Sequence, residues 1–138
     1  MKDLNRMKVE EMNPSMLAFV GDSYYDLQIR EMLIRRGINK SHKFHKLAVH
    51  YVSAKSQAAI LQQLTDEEFF STVELDIIRR GRNANSGSVP KNTDVITYRQ
   101  STAFEALIGF LYLTKQMDRL DEIIERGVEI RKEVEPNG

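Results

Sequence analysis

Two acidic side chains stand where acids are costly. Glu105 interrupts the apolar run STAFEALIGFLYL, residues 101–113, and Asp22 interrupts MLAFVGDSYYDL, residues 16–27. Burying a lone carboxylate costs on the order of several kcal/mol even after relaxation, so each must face water or meet a cation. At helical spacing the neighbours of Glu105 are Ser101, Thr102, Ile108 and Gly109, three of them small, which lets a second helix approach on that side. Asp22 has the same surroundings, with Ala18 one turn earlier and Gly21 beside it. Two helices packed on these small faces bring the carboxylates together, and neither ridge carries a lysine or arginine. The chemistry implied is a hard divalent cation, Mg²⁺, completed by waters. Such an ion activates water and stabilises charge on a phosphate under in-line attack. Taken singly, each acid also reads as a partly exposed residue on an imperfect stripe.

A phosphate chemistry needs a basic surface. Lys plus Arg equals Asp plus Glu at 20 each, so the chain is neutral overall, but its charges are segregated. From residue 79 to residue 99 there are five basic residues, Arg79, Arg80, Arg82, Lys91 and Arg99, against one acid, Asp94. They surround the irregular stretch NANSGSVPKNTDV, residues 83–95, the long loop of the sequence. The segment from Asp118 onward is acid-rich instead. A neutral chain can thus present one face to a polyanion, although a solvated surface loop has the same composition. Other chemistries lack support. His42, His45 and His50 have no cysteine or well-placed carboxylate to complete a zinc site. GRNANSGS lacks the spacing and the Gly-Lys-Ser/Thr of a nucleotide loop, and no G-x-S-x-G elbow occurs.

Helices must position these residues. Pro14 and Ser15 open a helix that closes at IRRG, residues 34–37, with Gly37 in a left-handed cap. Ser41 starts a second, expected to run to about Leu64. Thr65 with Glu68, and Ser71 with Glu74, read as capping boxes of a short helix and a longer one. A very apolar helix from about Tyr98 to Lys115 is expected to be central, and Asp118 to cap a last amphipathic helix reaching about Val134. No period-two alternation is sustained, so the fold class is all-α, with six or seven helices.

A length of 138 residues with 41% hydrophobic content suits a single domain, 1–138. There is no cysteine, which excludes disulfides and thiolate metal sites. The start MKDLNRMKVEEMNPSM lacks the apolar centre of a signal peptide, and no run approaches the roughly 20 residues of a membrane span. A cytoplasmic protein without membrane contact is expected.

On these residues the sequence resembles the catalytic domain of bacterial ribonuclease III, and more closely its Mini subfamily, over about residues 11–134, which the resemblance implies as the core of the domain. LAFVGD (17–22) matches the first family signature and STAFEALIGFLYL the second. VSAKSQA (52–58) and the block from Arg79 to Gly109 match the subfamily almost residue for residue. The resemblance implies an all-α homodimeric endoribonuclease that hydrolyses double-stranded RNA with Mg²⁺ and leaves 5′-phosphates. It further implies a role in maturing the large-subunit (23S) precursor rRNA. Asp22 and Glu105 carry over as catalytic metal ligands. The family pattern has acids where this chain has Ala18 and Thr102, so half of the usual carboxylate cage is missing; Asp26, through a water, and Thr102 are candidates to support the ion. Those departures are the best support for the alternative, a non-catalytic RNA-binding or ribosome-assembly homodimer, against which stands the retention of both Asp22 and Glu105 in apolar helices. With no double-stranded-RNA-binding domain in the 138 residues, RNA contacts are expected from Arg79, Arg80, Arg82, Lys91, Arg99 and Lys55.

Overall fold

Why α6 lies at the centre follows from its composition: Ala103, Phe104, Ala106, Leu107, Ile108, Phe110 and Leu111 leave no polar side, and all are buried. In the computed structural model, which describes residues 5–84, 89, 91 and 94–136, this helix (Val95–Leu113) packs against α2 (Pro14–Arg35), α4 (Ala54–Asp66) and α5 (Thr72–Arg82). Lighter contacts reach α1 (Arg6–Glu10) and α7 (Met117–Lys132), and α3 (Ser41–Val52) lies on α2. The described residues are therefore all-α, with seven helices. Buried side chains from every helix, including Val9, Tyr25, Leu47, Ile60, Ile77, Phe104 and Leu120, form one core cluster.

Glycine sets how closely these helices cross. A Cβ placed on Gly21 of α2 would lie 1.7 Å from the Glu105 carbonyl oxygen, and one on Gly109 of α6 would lie 1.9 Å from that of Leu17. The two backbones are thus in direct contact, with no side chain between them. Gly81 brings α5 onto α6 in the same way, 2.9 Å from the Ala103 Cα to its would-be Cβ.

The helix ends match the sequence in places and depart in others. Asn13 caps α2 by accepting from the Ser15 amide at 2.9 Å. At the other end Gly37 has φ 83°, and the Ile38 amide reaches back to the Leu33 carbonyl at 3.1 Å. Ser71 and Glu74 form the expected capping box. Glu74 is buried and neutralised by Arg119 of α7, which meets both its carboxylate oxygens at 2.8 Å and lies over the Phe69 ring.

The expected helix from Ser41 to Leu64 is two helices. Ser53 adopts an extended backbone (φ −60°, ψ 156°), and its hydroxyl accepts from the Ser56 amide at 3.2 Å, starting α4. The carbonyls released by the break find side chains: Ser56 Oγ donates to Tyr51 at 2.8 Å and Gln57 Nε2 to Val52 at 3.0 Å. Thr65 caps nothing. Its hydroxyl donates back to the Leu61 carbonyl at 2.7 Å inside α4, and Glu68 takes a left-handed φ of 55° in the turn, so no short helix intervenes before α5. The central helix begins earlier than expected, at Val95, because Asp94 accepts from both the Thr97 amide and hydroxyl. Asp118 lies within the first turn of α7 rather than capping it. Helix α1 was not expected.

Candidate active site

At the α2–α6 crossing the glycine contacts fix the backbones, and the acids beside those glycines meet. Asp22 projects from α2 into solvent, whereas Glu105 is largely enclosed. Their carboxyl groups are hydrogen-bonded to each other. Burial pushes the Glu105 carboxyl up to about 9, the bond to Asp22 and its charge push in the same direction, and the Gln57 amide opposes them. No lysine or arginine is among the groups that act on it. Two carboxyls can lie this close only by sharing a proton or a cation. The donor set, hard oxygens without a compensating side-chain charge, fits Mg²⁺. No third His, Cys, Asp or Glu completes a cluster among the described residues.

The positions one turn away behave differently from one another. Ala18 and Thr102, where the resemblance leads one to expect acids, are both buried. The Thr102 hydroxyl donates to the Tyr98 carbonyl at 3.1 Å, leaving its oxygen lone pairs as acceptors. Asp26 directs one carboxylate oxygen to Arg30 at 3.1 Å.

Gln57 was not singled out from the sequence. It is 2% exposed, and its Nε2 donates to Val52 O and, at 3.4 Å, to Glu105 Oε2. The same signal that flags Glu105 was present: Gln57 lies on the apolar ridge with Ile60, Leu61 and Leu64, all buried.

The basic residues divide into groups. Lys55, Arg82, Lys91 and Arg99 are exposed. Arg79 is exposed and pairs with Asp76 at 2.8 Å. Arg80 is different: it donates to the carbonyls of Glu10 and, at 3.1 Å, Met12, tying the α1–α2 connection to α5. Its guanidinium thus serves the fold, whereas that of Arg79 is paired only at the exposed surface. Within the 83–95 loop, residues 85–88, 90, 92 and 93 lie outside the described residues.

A helical domain whose central helix and crossing partner join two signature carboxylates defines a class. The Ribonuclease III domain family matches residues 15–116, and the chain belongs to that family. Its similarities fall within the Mini-ribonuclease 3 branch. It is 44% identical to the Mini-ribonuclease 3 of Staphylococcus aureus, with 91% of this chain and 93% of that protein covered. It is 48% identical to the Mini-ribonuclease 3 of Brevibacillus brevis, with 86% and 87% covered. A crystal structure of a protein from Fusobacterium nucleatum superposes with a TM-score of 0.77 at 29% identity, covering 85% of this chain and 93% of that one. The chain is accordingly an endoribonuclease. Among the described residues no helix is long and apolar enough to cross a membrane.

Proposed function

We propose that this endoribonuclease cleaves double-stranded RNA with Mg²⁺, as a cytoplasmic homodimer, in maturation of the large-subunit (23S) precursor rRNA. The observation that carries the reading is the Asp22–Glu105 pair, two oxygen ligands with no cationic side chain beside them. Asp22 and Glu105 would hold the ion, which when bound supplies an activated water and neutralises charge on the reacting phosphate. The chain's own residues do the rest. Glu105 is fixed by the crossing and by Gln57, while Asp22 reaches out from the exposed side to where a phosphate can approach. Arg82, Arg99, Lys91 and Lys55 supply phosphate contacts, which suit an A-form duplex read by shape and backbone. Thr102 offers an acceptor for a water beside the pair. Cleavage that leaves a 5′-phosphate and a 3′-hydroxyl follows from hydroxide attack on phosphorus with departure of the 3′ oxygen.

The homodimer has its own support. On the side of α2 opposite the core, Met16, Phe19, Leu27 and Ile34 form an exposed apolar stripe. A helix apolar on both sides calls for a partner on each; the second partner here is the same stripe of another copy, related by a twofold axis.

The test uses one preparation of the full chain read twice. Sedimentation should give the dimer mass, and a long RNA duplex should be cut with Mg²⁺ but not with chelator, while a single strand of the same composition survives. Equal cutting of both substrates, or cutting that survives chelation, would remove the reading.

The basic residues separate by a salt titration. Replacing Arg82 and Arg99 by Ala should reduce the slope of log affinity against log salt by about 1 for each phosphate left without its cation, with little change in stability. Arg80→Ala should instead lower stability by about 1–3 kcal/mol, since it leaves two backbone carbonyls without their donor. An unchanged slope in the double variant would take those arginines out of the RNA interface.

A further inference from the structure

We propose that Gln57 is the positioning residue of the Asp22–Glu105 site: anchored on the Val52 carbonyl, its amide N–H fixes the direction of the Glu105 carboxylate and so the geometry in which the pair meets a divalent cation. The inference rests on the reading of Asp22 and Glu105 as metal-holding residues and adds to it a residue that never touches the reacting atoms.

Stability explains the glutamine only in part: its Nε2 caps the Val52 carbonyl that the α3–α4 break exposes, and the same nitrogen also faces Glu105. The side chain is 2% exposed on a ridge otherwise filled by Ile60, Leu61 and Leu64. Both of its described bonds leave from Nε2, to Val52 O at 3.0 Å and Glu105 Oε2 at 3.4 Å, while Oε1 is buried with no partner among the described residues. An unmatched buried amide oxygen is a cost that a leucine or methionine of similar size would avoid. A shorter donor could serve the Val52 carbonyl alone; what the glutamine adds is the reach to Glu105.

The orientation of the amide is dictated by its anchor. A backbone carbonyl only accepts, so the nitrogen end must face Val52. That same nitrogen then faces Glu105, whose carboxylate is met by a donor. The Val52 carbonyl is available because Ser53 ends α3 there; an uninterrupted helix would have used it in its own ladder. The break, the carbonyl, the amide and the carboxylate thus form one bracket running from α3 through α4 to α6. Its lack of charge matters. A lysine in place of this glutamine would neutralise Glu105 and compete with the cation, whereas an amide orients the carboxylate and leaves its charge for the metal. Supporting partners of this kind are typically worth 10–100-fold in metal affinity, roughly.

The experiment titrates Mn²⁺ into the RNA-free full chain and follows the melting temperature, for wild type, Gln57→Leu and Gln57→Met. Both variants should fold, with metal-free melting temperatures somewhat below that of wild type because the Val52 carbonyl loses its donor. The Mn²⁺ midpoint should rise by about tenfold or more, with metal-free binding of an RNA duplex unchanged. Midpoints within about twofold of wild type would overturn the inference, since that is below the range expected of a supporting partner. Loss of fold in both variants would also overturn it, because Gln57 would then be a packing residue. A wild-type chain that shows no Mn²⁺ shift at all would instead strike the reading of the carboxylate pair beneath it.

Discussion

Glu105→Gln is expected to reduce duplex cleavage by roughly 1,000-fold or more, beyond the 10–100-fold typical of losing a supporting partner, while making the metal-free protein more stable. The two effects have one cause. In the absence of a cation, Glu105 is held close to Asp22 in a place that disfavours its charge, so its carboxyl is pushed up to about 9. A carboxyl raised in the folded state binds its proton more tightly there than in the unfolded chain. Metal-free stability is therefore greatest at pH below the ordinary carboxylate value of 4.5 and falls as pH rises toward about 9. The amide introduced by Glu105→Gln keeps the shape and removes the titration. The gain near neutral pH is about 1–2 kcal/mol, held down because Asp22 is exposed and can turn its carboxylate into water. Melting curves between pH 5 and 9, with and without Mg²⁺, read both halves. Wild type should decline with pH and be rescued by Mg²⁺; the variant should do neither. A variant that is less stable than wild type without metal would mean that Glu105 is an ordinary structural carboxylate.

The second large effect is at Gly109. Its added methyl in Gly109→Ala would fall 1.9 Å from the Leu17 carbonyl oxygen, with the Leu17 carbon at 2.8 Å and the Gly21 nitrogen at 3.1 Å. All three are backbone atoms, so no rotamer change relieves the collision and the helices must separate. The expected loss is about 3–5 kcal/mol, at the severe end for a point substitution and a large part of the roughly 5–15 kcal/mol available to a domain. Gly37→Ala is the control. Nothing lies within 4 Å of its would-be Cβ, and only the left-handed φ of 83° resists the change, at about 1 kcal/mol. Urea unfolding of the two variants gives the comparison, and a smaller loss at Gly109 than at Gly37 would mean that the crossing tolerates separation.

Much of this site was legible in the sequence because its parts obey local rules. An acid in an apolar helix, flanked by small residues one turn away, announces a close crossing, and the glycines at 21 and 109 are the residues that make it. Capping by Ser71 and the left-handed Gly37 were equally local. The misses share a different character. Nothing in the helical spacing from Ser41 to Leu64 forbids one long helix; the break at Ser53 is held by Ser56 and Gln57 reaching back to carbonyls that only the break exposes. Thr65 and Glu68 have the spacing of a capping box, but the end of α4 claims them first. Arg80 looked like its neighbours Arg79 and Arg82, and only the approach of α1 from the start of the chain assigns it to the Glu10 and Met12 carbonyls. Pairings between distant segments decide such cases.

If Asp22 and Glu105 hold the metal as proposed, the glycine-to-backbone contact between α2 and α6 also sets when activity first becomes available. Asp22 is made early in synthesis and Glu105 late, so a nascent chain carries half a site until α6 has left the ribosome and docked. On that reading a fragment ending before α6 should not cut RNA, and a partly folded chain with the crossing open should not hold the carboxylates together. Hydrolysis would then report that this crossing has closed, and an enzyme that destroys RNA would stay silent beside its own message until it had.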